Sequence, residues 1–326
     1  MTKIAIIGAG LSGLTLAHEL KNLAKVEVFD KSRGVGGRLA TRRAEPFHFD
    51  HGAQFFIAKT DAFSEFLKPL ISEGVVAPWE ARFVELQGRD VLAKRQWTAE
   101  QAHFVGVPSM NGMAKFLAKG LDVRLNTEVV DIKKETNWHL FDRDGGELGE
   151  YDWLVSTAPS AQSTKLLPPE FKFHEDLSTI KMQGCFALML GFNEALSLDF
   201  DAAHVSDADI SWISVNSSKP GRPNHYCLQI HATNQWAEDH MEDDKEAVVS
   251  HLIKEASRVI GYDLNIASHK DLHRWRYANI QRQVGEPCFF DADNQLAACG
   301  DWCIEGRVEA AFLSGQALAE KFKVNL

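Results

Sequence analysis

The first thirty residues combine two kinds of hydrophobic pattern. Residues 4–7 are an uninterrupted apolar run, as in a strand that is buried on both faces. Residues 11–22 carry apolar side chains at helical spacing, and residues 26–29 form a second strand-like run. A strand, a helix and a strand in this order indicate a βαβ unit, so the chain is expected to be an α/β protein.

The pattern further along the chain predicts a mixture of helices and strands. The expected helices are 61–73, 111–119 and 243–260. The expected strands are 79–83, 123–132, 153–157, 186–192, 210–215, 225–231, 269–278 and 296–299, with a hairpin turn near 142–146. Thr60 is expected to cap the first of these helices, Pro69 to kink or break it, and Gly261 to end the last one.

A glycine-rich turn joins the first strand to the helix that follows it. The turn reads Gly8-Ala9-Gly10-Leu11-Ser12-Gly13. Gly8 permits the tight turn, Gly10 lets the backbone approach a pyrophosphate, and Gly13 lets the helix pack closely on the strand. The free N–H groups and the dipole at the start of the helix favour the pyrophosphate charge. The turn therefore predicts a dinucleotide-binding domain.

An acidic residue ends the second strand. Asp30 lies 17 residues after Gly13, where it can accept hydrogen bonds from the ribose hydroxyls of the adenosine. A charged acceptor there contributes about 1.5–3 kcal/mol, and its charge disfavours a 2′-phosphate. The strand, the helix and this acid together favour a dinucleotide site over a plain glycine-rich turn.

A basic loop follows Asp30. Five of the thirteen residues at 31–43 are basic, in a chain whose net charge is −10. Gly36 and Gly37 permit a close approach of the backbone, and Arg38 can make a charge-assisted contact with a phosphate. A solvated basic loop is the alternative interpretation. The position of the loop, directly after Asp30, favours the phosphate.

Two further segments suit a flavin. Residues 50–54, Asp-His-Gly-Ala-Gln, would let the backbone pass close to a flat ring, although a plain turn has the same composition. Gly300 and Asp301 follow the last expected strand, and Asp301 can accept a hydrogen bond from a ribityl or ribose hydroxyl. A helix that begins near Val308 would point its N–H groups at the flavin N1/O2 edge. The motifs at the two ends of the chain therefore predict FAD.

Composition narrows the class of protein. The chain of 326 residues is 45% hydrophobic, which is typical of a globular protein, and it contains no stretch of some 18 apolar residues that would predict a membrane span. The net charge of −10 disfavours a nucleic-acid or anionic-membrane binder. The five cysteines are typical of reduced thiols in a cytoplasmic protein, and their spacing predicts no metal site.

The cofactor motifs lie at both ends and in the middle of the chain, so the cofactor domain is expected to be discontinuous. We expect an FAD-binding domain formed by residues 1–58, 102–162 and 270–326. The substrate domain is expected to comprise residues 59–101 and 163–269.

With these motifs the chain resembles the flavin-containing amine oxidase superfamily and, within it, the bacterial branch of the renalase family. The resemblance rests on residues 8–13, 36–38, 50–54, 274–277 (Arg-Trp-Arg-Tyr) and 300–301. It implies a Rossmann-like domain that holds FAD noncovalently, with an inserted α+β substrate domain built on a mixed β-sheet. The expected cofactor-binding residues are Gly8, Gly10, Leu11, Ser12, Gly13, Asp30, Lys31, Gly37, Arg38, Gly52, Ala53, Gln54, Val129, Gly300, Asp301, Val308 and Glu309.

The resemblance also implies a reaction. Family members oxidise dihydronicotinamide isomers of NAD(P)H that carry the hydride at ring position 2 or 6; the hydride passes to flavin N5, and O₂ is reduced to H₂O₂. The flavin performs this chemistry, and the protein orients the ring. The resemblance places His231 and Trp275 at the substrate face of the flavin, and Gln54 is a third candidate. From the residues alone, a core histidine and a core tryptophan are the alternatives.

Three other functions stay open. A flavin-containing amine oxidase would be reduced by common amines. A non-catalytic, flavin-binding regulatory protein would hold FAD that no donor reduces quickly. A nicotinamide-dependent monooxygenase would consume ordinary NADH faster when an aromatic substrate is present. Arg274 and Arg276 could attract the phosphates of a dinucleotide substrate or form surface ion pairs.

Overall fold

The structure is a computed structural model that describes all 326 residues. The helices, in chain order, are α1 (Leu11–Leu20), α2 (Asp61–Ser72), α3 (Gly112–Leu117), α4 (Ser160–Leu166), α5 (His174–Thr179), α6 (Asn234–Asp239), α7 (Lys245–Ile260) and α8 (Val308–Asn325). None of them is both long and apolar enough to cross a membrane.

The strands are short and numerous. In chain order they are β1 (Lys3–Ile7), β2 (Lys25–Phe29), β3 (Thr41–Ala44), β4 (Phe47–Asp50), β5 (Val76–Pro78), β6 (Arg82–Gln87), β7 (Asp90–Gln96), β8 (Phe104–Gly106), β9 (Asp122–Arg124), β10 (Asp131–Lys134), β11 (Trp138–Phe141), β12 (Glu147–Tyr151), β13 (Trp153–Ser156), β14 (Gln183–Gly191), β15 (Ala202–Ser206), β16 (Ile210–Val215), β17 (Cys227–Ala232), β18 (His269–Asn279), β19 (Cys288–Asp291) and β20 (Leu296–Cys299).

The chain forms two compact units, each built from separate stretches of sequence. The first unit comprises Met1–Arg38, Met113–Met182 and Asn279–Leu326. The second unit comprises Leu39–Gly112 and Gln183–Ala278. Both units are therefore discontinuous, as expected, but their boundaries differ from the expected ones.

Side-chain packing explains the different boundaries. Residues 39–58 fold with the second unit because Phe47 and Phe49 form a small core with Met189 and Cys227. In the same unit β8, within residues 102–112, pairs with β5, and residues 270–278 belong to β18 of the seven-stranded sheet.

The opposite shift occurs at residues 163–182, which were expected in the substrate domain. They fold with the first unit because Leu167, Phe171 and Leu177 share a core with Leu154 of β13.

The first unit contains a six-stranded sheet in the order β19-β20-β13-β1-β2-β9. β1 pairs in parallel with β2 and with β13, which gives the Rossmann-like arrangement that the first thirty residues predict. Helix α1 packs against α8, where a Cβ on Gly315 would lie only 2.5 Å from the Ser12 carbonyl oxygen. The two ends of the chain therefore meet in this unit.

The expected strand at 123–132 is two strands in different sheets. β9 extends the six-stranded sheet, whereas β10 begins a three-stranded sheet with β11 and β12. Asn126 adopts a positive φ of 52°, which interrupts extended backbone between them. The hairpin turn expected near 142–146 joins β11 to β12.

The second unit contains a seven-stranded sheet in the order β18-β14-β17-β16-β15-β6-β7. β15 pairs with β6 in parallel. The pairs β14–β17, β15–β16, β16–β17 and β6–β7 are antiparallel, so the sheet is mixed, as expected. One face packs its aliphatic residues against α7, which is capped by Asp244 and ends at Gly261 in a left-handed conformation. On β16 and β17 the alternate positions carry polar and aromatic side chains, among them Trp212, Gln229 and His231.

Smaller differences concern the start of the second unit. Pro69 lies inside α2 without ending it, although a proline cannot donate a backbone hydrogen bond to the residue four positions earlier. Thr60 caps this helix, as predicted, by accepting a hydrogen bond from the Phe63 N–H. The expected strand at 79–83 begins only at Arg82, although Trp79 is buried like a strand residue.

Candidate functional site

The glycine-rich loop between β1 and α1 has the shape that a pyrophosphate requires. Gly8 has a φ of +118°, and a Cβ on Gly13 would lie 2.1 Å from the Gly8 carbonyl oxygen, so both positions require glycine. A Cβ on Gly10 would meet no atom within 4 Å, so the space above the loop is open. Helix α1 has no side-chain cap and no acid in its first turn. Its first N–H groups are therefore available to a phosphate.

Asp30, which follows the end of β2, stabilises this loop through hydrogen bonds to its backbone. Its Oδ2 accepts a hydrogen bond of 2.7 Å from the Ala9 N–H, and its Oδ1 accepts one of 2.8 Å from the Ser32 N–H. A carboxylate has about four acceptor sites, so each oxygen can still accept from a ribose hydroxyl. This stabilising role was not predicted from the sequence.

The second glycine block lies beside the first. The Gly36 N–H donates to the Ala9 carbonyl oxygen at 2.8 Å, and Gly10 and Gly36 form an isolated parallel bridge. A Cβ on Gly37, whose φ is +53°, would lie 3.5 Å from the Gly10 Cα. The structure thus brings together two segments that the sequence analysis assigned separately to one cofactor.

Arg38 and Asp301 form a bidentate ion pair in the first unit. The Arg38 Nη1 and Nη2 atoms lie 2.8 and 2.5 Å from the two carboxylate oxygens of Asp301. Asp301 is buried, and the Arg38 side chain is 29% exposed. Their sequence motifs predict separate roles, a phosphate contact for Arg38 and a ribityl contact for Asp301, and do not predict their pairing.

The other expected cofactor residues of the first unit lie in different surroundings. α8 begins at Val308, as expected, and Glu309 in its first turn is buried. Val129 is buried in the hydrophobic core with Trp138. Lys31 is exposed, 3.8 Å from Glu128, on the segment that follows Asp30.

Residues 50–54 belong to the second unit, where Asp50 is the centre of a buried ion cluster. Asp50 has no exposed surface, and its Oδ2 lies 2.5 Å from Arg222 Nη2 and 3.5 Å from Lys219 Nζ. The other oxygen, Oδ1, accepts from the Thr41 hydroxyl at 2.7 Å and the Met110 N–H at 3.0 Å.

These contacts set the charges of the cluster. Burial raises the pKa of Asp50, but the charges of Lys219 and Arg222 outweigh burial, and the pKa falls to about 2. Burial lowers the pKa of Lys219 to about 8, against the opposing effect of Asp50. Neither cation was predicted, because Lys219 and Arg222 lie in a polar turn with no recognisable motif.

Gln54 connects this cluster to His231. The Gln54 Oε1 accepts hydrogen bonds from Lys219 Nζ at 3.1 Å and from the Ser214 hydroxyl at 2.9 Å. These contacts fix the amide orientation, so Nε2 points to the Gly52 carbonyl oxygen at 3.0 Å and to His231 Nε2 at 3.5 Å. Burial and the Lys219 charge lower the pKa of His231 to about 4, so this imidazole is neutral near pH 7.

Trp275 lies in a second aromatic group of the same unit. Its Nε1 donates to the His51 carbonyl oxygen at 2.8 Å, and its ring stacks on the His51 ring with 5.3 Å between centroids. His273 contacts both rings. Burial is the main cause that lowers the pKa of His51 to about 3 and that of His273 to about 4. His51, His231 and His273 are therefore neutral near pH 7.

The carboxylates around these histidines are paired with an excess of cations. Asp50 faces Lys219 and Arg222, as described above. Asp271 faces Arg42 at 3.5 Å and Lys245 at 2.8 Å. Two carboxylates therefore stand against four cations in this part of the second unit.

Arg274 and Arg276 form ion pairs instead of pointing to a free phosphate site. Arg276 forms a two-pronged pair with Glu242, and Arg274 Nη1 lies 3.9 Å from the same carboxylate. All five cysteines are buried free thiols, and no cluster of three or more potential ligands is arranged for a metal ion.

Comparisons with known proteins agree with this geometry. Residues 6–70 match the model of an NAD(P)-binding Rossmann-like domain. Residues 79–321, about three-quarters of the chain, match the model of the flavin containing amine oxidoreductase family. The fold and the dinucleotide loop thus define an FAD-dependent oxidoreductase with a flavin cofactor. The chain belongs to the flavin-containing amine oxidoreductase family.

Individual relatives show how far the similarity extends. Prenylcysteine oxidase 1-like of Bos taurus is 37% identical over 73 residues, which are 21% of this chain and 15% of the relative. The chain thus matches about a seventh of that relative's length.

Solved structures share the fold along the whole chain. A structure from Exiguobacterium sp. 255-15 described as a protoporphyrinogen oxidase has a TM-score of 0.80 at 12% identity, covering 100% of this chain and 99% of that one. Putrescine oxidase bound to putrescine has a TM-score of 0.71 at 12% identity, with 99% of each chain covered.

Proposed function

We propose that this protein is an oxidase of dihydronicotinamide dinucleotides, specifically of the 2- and 6-dihydro isomers of NAD(P)H. The observation that carries the proposal is the charge beside His51, His231 and His273, which are neutral, while the carboxylates of Asp50 and Asp271 each face two cations. A donor with a neutral reacting ring and anionic phosphates suits such surroundings. The resemblance to the renalase family supports the same reaction.

The charges also weigh against an ammonium substrate. An alkylamine resembles the lysine side chain, whose pKa is about 10.4, so it arrives as a cation. The carboxylates that could receive it, Asp50 and Asp271, already face two cations each. Cationic amines would therefore bind weakly here.

Each residue has a specific part in the proposal. When bound, FAD supplies the hydride acceptor, and the overall reaction converts the dihydronicotinamide, O₂ and a proton into NAD(P)⁺ and H₂O₂. Gly10 and the first turn of α1 would hold the pyrophosphate of the cofactor, and Asp30 its ribose. His231, held neutral beside Gln54, would hydrogen-bond the carboxamide of the donor, and Trp275 would contact its ring.

An amine oxidase is the second candidate, because the family model that matches most of the chain is that of amine oxidoreductases. The two candidates differ in the donor that drives O₂ uptake. We expect the 2- and 6-dihydro isomers to start O₂ uptake with formation of H₂O₂ and NAD(P)⁺, and ordinary 4-dihydro NADH to serve as the matched control. O₂ uptake with putrescine or benzylamine but with neither isomer would overturn the proposal and favour the amine oxidase.

A further inference from the structure

A cavity of about 350 Å³ opens on the seven-stranded sheet of the second unit. Its aromatic walls are Phe55, Phe83, Trp97, His103 and Trp212, and we call it the aromatic cavity. Polar side chains, including Gln101 and Thr98, complete the lining. The volume lies in the range of small-molecule sites, which are about 300–1,000 Å³ and combine apolar walls with a few polar groups.

Four of the five aromatic walls have near-parallel rings, whereas the Phe55 ring is inclined by 57° to that of Trp97. The Trp97 ring lies 3.7 Å from His103 with 4° between the planes, and 5.1 Å from Phe83 with 18° between the planes. The Trp212 ring is inclined by 22° to that of Trp97. The Trp212 Nε1 is buried and has no hydrogen-bond partner. Near-parallel rings beside polar side chains such as Gln101 and Thr98 favour a flat ring that carries polar atoms.

The aromatic cavity adjoins His231 in two ways. Trp212 on β16 lies directly opposite His231 on β17 in the strand register. Residues in that relation have Cβ atoms about 4.5–5.5 Å apart. Phe55 directly follows Gln54, the residue whose amide lies 3.5 Å from the His231 ring. The cavity therefore begins one strand away from the histidine.

The cavity then extends away from His231 along the sheet. Phe83 lies on β6, which is three strands from β17 in the order of the sheet. At about 4.8 Å per strand, this separation is roughly 14 Å. Two riboses and a pyrophosphate can span such a distance between the two rings of a dinucleotide.

We propose that the aromatic cavity binds the adenine ring of the dinucleotide donor, while the nicotinamide lies at His231. This inference rests on the proposed function and adds a specificity site to it. Its consequence is a preference for a complete dinucleotide over a dihydronicotinamide mononucleotide, because only the dinucleotide carries a second ring.

Binding of adenosine 5′-monophosphate tests the site without turnover. The titration uses the fully FAD-loaded protein, so that the adenosine site of the cofactor is occupied, and is followed by calorimetry. We expect Phe55→Leu to weaken binding about ten-fold, as the loss of one base–aromatic stack does. The matched control is Phe66→Leu on α2, which makes the same change outside the cavity and should leave binding unchanged.

Kinetics separate this inference from the proposed function. Wild-type protein should oxidise the dihydronicotinamide dinucleotide with a higher kcat/KM than the corresponding mononucleotide, and Phe55→Leu should remove most of that advantage. Equal kcat/KM for the two donors would overturn the adenine site while leaving the proposed function standing. An equal loss for both donors in Phe55→Leu would also overturn it, since the change would then act through Gln54.

The remaining outcomes are equally decisive. Oxidation of neither donor would overturn the proposed function itself. In that case the calorimetric titration still tests the cavity. If the cavity binds a purine, adenosine 5′-monophosphate should bind to the wild-type protein, and Phe55→Leu should weaken that binding. Absence of binding, or binding that Phe55→Leu leaves unchanged, would overturn the adenine site.

Discussion

Arg38 and Asp301 are 263 positions apart in the chain, yet the guanidinium and the carboxylate form two hydrogen bonds of 2.8 and 2.5 Å. The pair joins the glycine block at 36–38 to the segment that directly follows β20. A charge-assisted, two-pronged contact fixes orientation as well as distance. Two of the expected cofactor segments are thus held together by one ion pair.

Breaking this pair should weaken FAD retention. Asp301→Asn keeps the shape of the side chain but removes its charge, and Arg38→Gln removes the other charge. We expect each variant to raise the dissociation constant for FAD about ten-fold or more, since hydrogen bonds to charged groups contribute about 1.5–3 kcal/mol. The ratio of flavin to protein absorbance after gel filtration measures the loss. Asp293→Asn, an exposed change, is the control, and full flavin retention in both test variants would contradict the prediction.

Loss of Asp50 should destabilise the protein strongly. Asp50→Asn leaves Lys219 and Arg222 buried without their counter-charge, a change that costs about 3–5 kcal/mol of unfolding free energy. Lys219→Met should cost less, because Asp50 keeps its two-atom contact with Arg222. Urea denaturation measures both, with the exposed change Asp90→Asn as the control. Equal stability of Asp50→Asn and wild type, or a larger loss in Lys219→Met, would show that the cluster does not carry this energy.

Three neutral histidines should make the protein sensitive to mild acid. In the unfolded chain they bind protons as the pH falls below about 6.5. In the folded protein the pKa is about 3 for His51 and about 4 for His231 and His273. Between these values the unfolded chain binds more protons, so the unfolding free energy decreases as the pH falls, by up to about 1.4 kcal/mol per pH unit for each histidine.

Denaturation curves between pH 4.5 and 7.5 measure this slope. His273→Gln should reduce it by about one histidine's share. His139→Gln is the control, because a hydrogen bond to Glu147 raises rather than lowers the pKa of that residue. A stability that does not change between pH 6.5 and 4.5 would exclude the proposed neutral state of the three rings.

His231→Ala should slow flavin reduction while leaving FAD bound. The proposed hydrogen bond to the donor is lost, and we expect the reduction rate to fall roughly ten-fold. Rapid mixing with a 6-dihydronicotinamide dinucleotide measures this rate, with His139→Ala as the control. An unchanged rate at full flavin content would assign His231 to packing.

Local patterns predicted the parts of the fold that depend on neighbouring residues. The run at 4–7, the glycines at 8–13 and the helix that begins at Val308 all follow from such patterns, and the structure has each of them. The ion pair of Arg38 with Asp301, and that of Asp50 with Lys219, join residues far apart in the chain. No local spacing carries such information.

The predicted boundaries of the two units were wrong for the same reason, since they also depend on contacts between residues far apart in the chain. Phe47 and Phe49 have the alternation of an ordinary hairpin, and only their packing against Met189 assigns them to the second unit. The aromatic cavity was likewise not predicted, because its residues come from five separate segments between Phe55 and Trp212. The proposed roles of Gln54, His231 and Trp275 at the flavin stay predictions.

Anaerobic reduction of the bound flavin decides which donor the protein oxidises. FAD-loaded protein is mixed under exclusion of air with the 2- and 6-dihydro isomers of NAD(P)H, and in parallel with putrescine, benzylamine and ordinary NADH. We expect rapid bleaching of the yellow absorbance by at least one isomer, with H₂O₂ formed when air is admitted. Bleaching by an amine with neither isomer active would contradict it.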